Sequence, residues 1–453
     1  MKTDKLLILS TVTLAACAVN ADKITTKPNV LIIYTDDMGL GDLSIYNNGW
    51  AATPCIDSLA KEGIIFENYY SAAPVSSASR TGLLTGQYPL QWGINTFLND
   101  RKMNREAEQF DYLDSSAPSM ARMFKDNGYY TTHIGKWHLG GGRDVDDAPS
   151  IKEYGYDSYL STWESPDPDP VITSGDWIWK NEDSVKRWNR TSYFVDKVLL
   201  AFETKGDKPV FVNFWPDDMH TPWVQGFEVQ DSPVTWVQED NFRAVLECYD
   251  REIGRLVDGL KEMGEFDNTI IVFTSDNGAE ATTFSQQRNI GKRGHKNSLY
   301  EGGIAMPFFV TWANEIQRGG VDSTSVVTSM DLFLSLGAMA GLEIPAGYAS
   351  SGEDMSKALL GEPTARTKDI MWDFGRNEVY ARPKLAHNHS PHLAMRRGDW
   401  KLLMNSDSTR IELYNIAHDP NENSDVAAER IDIVNQMTAP LLQWWNTRKV
   451  RKD

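Results

Sequence analysis

Three short runs along the chain are apolar on consecutive positions and then end abruptly in polar residues. Residues 29–34 lead into Thr35, Asp36 and Asp37; residues 209–215 lead into Pro216, Asp217, Asp218, Met219 and His220; residues 269–274 lead into Ser275, Asp276, Asn277 and Gly278. Runs of this length without alternation predict strands buried on both faces of a sheet. Helical patterns lie between them. Phe242, Leu246, Tyr249, Ile253, Leu256 and Leu260 recur at spacings of four and three, which places one apolar stripe along a helix. A shorter helix is predicted from about Ser119 to Asn127, ending at Gly128. Strands alternating with helices predict an α/β sandwich around a largely parallel sheet, with chemistry gathered beyond the carboxyl ends of its strands.

The pattern changes toward the end of the chain. Residues 348–367 are rich in Gly, Ser and other small residues around one short helix, and a boundary is placed near residue 364. Strand-like pieces at 392–396, 400–404 and 410–414 follow, then a closing helix carrying Ile433, Met437, Leu441 and Trp445. This predicts a small antiparallel sheet packed with a helix, so the chain divides into a leader (1–21), a main domain (25–363) and a C-terminal subdomain (364–453). Residues 165–176, with Pro166, Pro168 and Pro170 among acidic residues, read as an irregular excursion.

The leader is read from Lys2 and Lys5 followed by an apolar stretch from Leu6 to Ala16, too short for a permanent span. Two processing routes are open. Leu14-Ala15-Ala16-Cys17 has the form of a lipobox, which would leave a lipid anchor on Cys17, and Val19-Asn20-Ala21 suits ordinary cleavage. Either predicts a periplasmic or secreted protein. No later stretch is long and apolar enough to be a transmembrane segment.

Composition narrows the function classes. The chain has 453 residues, 41% hydrophobic and 24% charged, which excludes disordered and collagen-like architectures. Its 45 Lys and Arg against 63 Asp and Glu leave a net charge of −18, which argues against a nucleic-acid partner. After the leader only Cys55 and Cys248 remain, so no disulfide framework holds the fold, and whether these two pair is left open. Trp163, Trp177, Trp179, Trp188, Trp215, Trp223 and Trp236 cluster in one region, where indole rings could stack on sugar faces or pack a core.

Two carboxylate-rich pairs, Asp36-Asp37 and Asp276-Asn277, stand at the ends of two predicted strands. They offer only hard oxygen ligands, which favours Ca²⁺ or Mg²⁺; helix caps or turns are the plainer alternative. Ser76 and Ser77 precede an apolar turn, where they would serve either as an N-cap or, with Arg80, as part of an anion site.

Residues 76–86 read Ser-Ser-Ala-Ser-Arg-Thr-Gly-Leu-Leu-Thr-Gly. This segment resembles the signature of type I sulfatases, (C/S)-x-(P/A)-S-R-x-x-x-L-T-G, at every defined position. Gly135-Lys136-Trp137-His138-Leu139-Gly140 resembles the family's second signature, and residues 295–303 its Lys-containing segment. The resemblance extends along nearly the whole mature chain. It implies the alkaline phosphatase superfamily fold, an α/β/α sandwich around a mixed sheet with a smaller C-terminal sheet. It also implies conversion of Ser76 to Cα-formylglycine, whose hydrate is the nucleophile, by a radical-type maturase because the residue is serine.

Carried over position by position, the resemblance implies calcium ligands at Asp36, Asp37, Asp276 and Asn277, completed by residue 76. It places Arg80 at the aldehyde hydrate and Lys136, His138, His220 and Lys296 around the sulfate. In that scheme His220, with Lys296 nearby, protonates the departing sugar oxygen and His138 takes the proton that frees the sulfate. Singly, each has a plainer reading: solvated charges for Lys136 and Lys296, a core histidine for His138, a turn residue for His220. The implied substrate is a sulfated carbohydrate, with Trp177 and Trp179 as stacking residues and His387, Asn388 and His389 as sugar contacts if the small domain leans over the pocket. The rival readings are a phosphomonoesterase or phosphodiesterase using unmodified Ser76, and a glycan-binding protein with an inactive site.

Overall fold

The computed structural model describes residues 27–47, 49–172, 183–224, 237–377 and 379–451. Eight strands form the main sheet in the order Ser158–Ser161, Tyr130–Gly135, Val210–Trp215, Asn29–Thr35, Thr269–Ser275, Phe308–Thr311, Ile64–Phe66, Gly320–Asp322. Phe308–Thr311 runs antiparallel to both neighbours and the remaining pairings are parallel, so the sheet is mixed and largely parallel.

The central strand shows why its sequence has no alternation. Val30, Ile32 and Tyr34 pack into one apolar layer, while Leu31 and Ile33 pack into the layer on the opposite face. Successive side chains point to opposite sides of a strand, so a strand covered on both faces is apolar throughout. The helix Glu239–Glu262 buries Phe242, Leu246, Tyr249, Ile253, Leu256 and Leu260 against the second layer. The first layer is covered by Met120–Asp126, capped by the Ser119 hydroxyl, and by Leu332–Met339. Helices on both faces make the α/β/α sandwich.

Four strands, Ile370–Asp373, Leu393–Arg397, Trp400–Met404 and Glu412–Asn415, form a second, antiparallel sheet in chain order. The helix Ile431–Trp445 packs Val434, Met437 and Leu441 on one face of it. Of the predicted stripe, Met437 and Leu441 are buried and Ile433 and Trp445 pack half-buried at its edge, with Val434 added to the inner face. The other face contributes Ile370, Trp372, Ala394, Leu403 and Tyr414 to a layer shared with Val75, Ala78, Tyr300 and Ile304 of the main body. The small sheet therefore backs the segment that carries Ser76. Residues 165–172 form no helix or strand, as the prolines predict; 173–176 lie outside the described residues. Cys55 and Cys248 are free thiols.

Leu256 is fully buried and Leu200 is 44% exposed. Leu256→Ala is expected to cost about 2–5 kcal/mol through lost burial and a cavity. Leu200→Ala is expected to stay within about 0.5 kcal/mol. Denaturant midpoints at unchanged slope measure both, and equal losses would contradict this account of the core.

Candidate active site

The two acidic pairs emerge side by side because their strands are neighbours in register, Thr35 opposite Ser275. Their backbones interlock at once. The Asp276 amide donates to the Thr35 carbonyl at 3.0 Å, the Asp37 amide to Asp276 Oδ1 at 3.0 Å, and Asn277 Nδ2 to Asp37 Oδ1 at 2.7 Å. Asp37 has φ of 56°, a left-handed conformation that a non-glycine residue adopts only when its surroundings fix it. Gly278 follows because the chain passes hard against the Gly302 carbonyl: a Cβ there would lie 2.0 Å from that oxygen.

Ser76 is the first residue of the helix Ser76–Thr85, whose N-cap is Val75. Neither serine caps it. Ser76 Oγ lies 3.1 Å from Asp36 Oδ1 and 3.4 Å from Asn277 Oδ1, and Ser77 Oγ accepts from the Leu98 amide at 2.9 Å. Every residue of this helix is buried. One turn along, Arg80 donates to Asp36 Oδ1 at 3.1 Å, to Asp276 Oδ2 at 2.8 Å and to the Lys136 carbonyl at 3.3 Å. Its guanidinium rests over Trp215, 5.1 Å from the ring centroid.

Lys136 and His138 follow strand Tyr130–Gly135, and His220 follows Val210–Trp215. Lys136 Nζ donates to Asp36 Oδ2 at 2.8 Å, and Lys296 Nζ donates to Asp37 Oδ2 at 2.7 Å and to His220 Nε2 at 3.0 Å. Both lysines are buried, so the solvated-charge reading is set aside. An ammonium only donates, so His220 Nε2 is the acceptor, and Nδ1–H donates to the Thr221 carbonyl at 2.7 Å. The proton of the pair sits on Lys296.

Burial opposes the charge of Asp36, yet Lys136, His220, Arg80 and Lys296 hold its carboxyl well below the usual range. Asp276 is pushed the other way, to about 7, by burial and then by Asp36. Burial also drives the His138 imidazole down to about 3, which leaves it neutral. One carboxylate oxygen each from Asp36, Asp37 and Asp276 lies within 4.8 Å of the others. With Asn277 and Ser76 beside them the donor set is all oxygen, and three buried carboxyls this close fit a hard divalent cation.

A cavity of about 370 Å³ opens over these groups, lined by Asp36, Ser76, Lys136, His138, His220 and Lys296 together with Phe97, Arg143, Thr162, Glu164, Arg187, Asp217, Glu280 and Asn297. Most of the second set carries no sequence signal. Asn297, within the segment 295–303, and Asp217 are the exceptions, Asp217 standing in the polar cluster after a predicted strand. Asp217 accepts from Arg187 and, at 2.8 Å, from Arg190, while Arg187 also donates to the His220 carbonyl at 3.1 Å. This fixes the loop that carries His220.

His387, Asn388 and His389 do not line the cavity. Asn388 is buried, its Oδ1 accepting from the Gly294 amide at 3.2 Å and its carbonyl from Ser298 Oγ at 2.7 Å. The His387 carbonyl accepts from Arg293 at 3.0 Å, and His389 Nε2 lies 2.5 Å from the Pro383 carbonyl. His387 and Asn388 brace the loop around Lys296. Trp215 and Trp223 are fully buried core residues; Trp177, Trp179 and Trp236 lie outside the described residues.

Comparison with known proteins adds the family. Residues 28–342 match the Sulfatase family model, and residues 293–446 match the model for the C-terminal part of N-sulphoglucosamine sulphohydrolase. The chain is 26% identical to an N-acetylgalactosamine-6-O-sulfatase of Bacteroides thetaiotaomicron, covering 93% of this chain and 94% of the relative. It is 28% identical to human N-acetylgalactosamine-6-sulfatase, over 74% of this chain and 66% of that protein. A Bacteroides thetaiotaomicron structure from work on the metabolism of multiple glycosaminoglycans superposes with a TM-score of 0.75 at 24% identity, covering 93% and 99% of the two chains. A protein solved with its substrate D-glucosamine-2-N,6-O-disulfate superposes at 0.67 and 18% identity, covering 93% and 98%. At such identities the superpositions bear on the fold; the family follows from the sequence match over most of the chain. The chain belongs to the sulfatase family and is a sulfuric ester hydrolase.

Proposed function

We propose that this sulfatase is an exported carbohydrate sulfatase that removes a sulfate monoester from a sugar of a glycan, with Ser76 converted to Cα-formylglycine and a calcium ion beside it. The observation that carries this reading is the position of Ser76. Its hydroxyl is shared between Asp36 and Asn277 at the floor of a cavity whose walls bring two buried lysines and two histidines. Asp36, Asp37, Asp276 and Asn277 would hold the calcium ion, which supplies positive charge to the sulfate oxygens. Formylglycine at 76, as its hydrate, supplies a nucleophilic hydroxyl and a second one whose loss of a proton lets the sulfate go.

The chain's own residues do the rest. Three carboxylates, Asp36, Asp37 and Asp276, stand against three cations, Arg80, Lys136 and Lys296. The groups are therefore close to electrically balanced, and the metal's charge is left to attract an anionic ester. Lys136 and Lys296 line the cavity and bind the sulfate oxygens; Arg80 lies beneath and fixes Asp36 and Asp276. The Lys296–His220 pair is the proton source for the departing sugar oxygen, and neutral His138 is the base. The leader directs the chain to the periplasm or beyond, with acylation of Cys17 as the anchored variant. Among the described residues no helix is long and apolar enough to cross a membrane. The same reading divides the mature chain into a catalytic unit, 25–363, and a C-terminal unit, 364–453.

Mass spectrometry of the peptide containing residue 76, from chain produced with a radical-type maturase, is expected to show it lighter by two hydrogens than serine. Full activity with intact serine would refute the modification. Calcium at about a hundred times its Kd is expected to stabilise the wild-type fold by about 2.7 kcal/mol and to leave an Asp36→Asn, Asp276→Asn double variant unmoved; a wild-type melting temperature indifferent to both calcium and chelator would remove the metal from the site. Against sulfated mono- and disaccharides differing in sulfate position, 6-sulfated N-acetylgalactosamine is expected to be the preferred substrate, since the bacterial and human relatives matched in sequence are named for it. Release confined to another position would overturn that assignment while leaving the reaction class in place. Lys136→Ala is expected to lower kcat about 10²–10³-fold on whichever sugar is cleaved.

A further inference from the structure

His138 is held through one ring nitrogen and unheld at the other. Its Nε2 lies 3.1 Å from the Leu98 carbonyl and 3.4 Å from Glu164 Oε2. Both partners only accept, so Nε2 bears the hydrogen. Nδ1 is buried and has no hydrogen-bond partner among the described residues. In a neutral imidazole it is then the nitrogen with the free lone pair.

Glu164 grips residue 138 twice. Besides the side-chain contact, its backbone carbonyl accepts from the His138 amide at 3.0 Å. His138 has φ of 53°, so the ring is carried on a backbone that must be fixed by its neighbours. The second carboxylate oxygen, Oε1, accepts from Arg143 Nη2 at 3.0 Å, and the Arg143 guanidinium stacks on Trp163, 4.9 Å from its centroid. His138, Arg143 and Glu164 all line the cavity. The charged groups facing the ring are Glu164, Lys136 and Arg80; Glu164 is the one anion among them, 3.4 Å from Nε2, beside the hydrogen bond that Nε2 makes to the Leu98 carbonyl.

We infer that Glu164, clamped by Arg143, is a positioning residue that reinforces the Nε2–H tautomer of His138 set by the Leu98 carbonyl and so keeps Nδ1 as the proton acceptor of the site. The inference rests on the proposed role of His138 as base and deepens it by naming the working nitrogen and what reinforces it. A carboxylate that fixes a histidine tautomer is a known source of large effects on turnover without contact to the substrate.

The clamp gives Glu164 variants an unusual order. In Glu164→Gln the single side-chain oxygen is drawn to Arg143, which needs an acceptor. The amide N–H₂ then faces Nε2 and favours Nδ1–H, which blocks the base. In Glu164→Ala the Leu98 carbonyl still holds Nε2–H. The isosteric variant is therefore the more damaging one, the reverse of what a purely structural role produces.

The test uses full-length matured protein labelled with ¹⁵N-histidine, with His138→Asn locating the signal, and turnover of 4-nitrophenyl sulfate alongside. At neutral pH the wild type is expected to show the Nε2–H signature at His138 and Glu164→Gln the Nδ1–H signature. Glu164→Gln is expected to lose about 10- to 100-fold in kcat with KM little changed, and Glu164→Ala to lose less. A wild-type ring protonated at Nδ1, or a Glu164→Gln variant that keeps Nε2–H and turns over at least as fast as Glu164→Ala, would overturn the inference. The nuclear resonance readout does not depend on turnover. Failure of the base assignment itself shows separately, as full activity in His138→Asn.

Discussion

Three carboxyl groups, those of Asp36, Asp37 and Asp276, are buried together, and the rest of the site answers that constraint. Removing an ionised carboxylate from water costs several kcal/mol unless charge and hydrogen bonds replace the lost hydration. Asp36 meets the requirement with Ser76, Arg80 and Lys136 on its two oxygens; Asp37 does so with Lys296 and Asn277; Asp276 does so with Arg80 and the Asp37 amide. The groups that would bind and process an anionic ester are thus also the groups that make the buried acids tolerable. Such a cluster is fixed before any substrate arrives, which is the condition for electrostatic stabilisation without reorganisation.

The fold meets this constraint by gathering strand ends. Asp36, Lys136, His220 and Asp276 come from four adjacent parallel strands whose carboxyl ends open on one edge. Ser76 and Lys296 come instead from segments with no place in that sheet, and both are held from behind. Trp372 of the small sheet donates to the Ser71 carbonyl at 2.8 Å, and buried Lys401 joins Glu301 and Glu422, each at 2.9 Å, just past the segment bearing Lys296. The C-terminal sheet therefore reaches the chemistry through backbone placement, as do His387 and Asn388.

What was legible from sequence follows the same division. Strands buried on both faces are visible as unbroken apolar runs, and the stripe from Phe242 to Leu260 needs only its period. Tyr130–Gly135 was not visible, because Thr131, Thr132 and His133 make it polar although all three are buried. Most of its polar groups find internal partners: Thr131 Oγ1 donates to the Gly155 carbonyl at 2.8 Å, Thr132 Oγ1 accepts from Ser158 at 2.8 Å and His133 Nε2 bonds the Gly135 carbonyl at 3.2 Å, while His133 Nδ1 is left without one among the described residues. That Asp36, Asp276, Lys136, His138, His220 and Lys296 meet around Ser76 was legible only jointly, through the resemblance at residues 76–86, 135–140 and 295–303. Glu164, Arg143 and Arg187 were not legible at all, since an isolated charged residue after an irregular segment looks like surface. The capping reading of Ser76 failed because local propensity carries no information about a partner 40 residues away across the sheet.

The net charge of −18 belongs to the exterior and has no bearing on affinity at the cavity floor. There three cations face three carboxyl groups, so the sign of the site is set by what binds beside Asp36 and Asp276. At the rim the balance changes: Glu164 and Glu280 face inward near Arg143 and Arg187. A second anionic group on a substrate would meet arginines already engaged by Glu164 and Asp217. At about 370 Å³ the cavity lies at the lower end of the range for small-ligand sites. Volume and rim charge act together: both favour one sulfate on a compact sugar over a densely sulfated chain, and the acidic exterior adds repulsion against the longer polyanion.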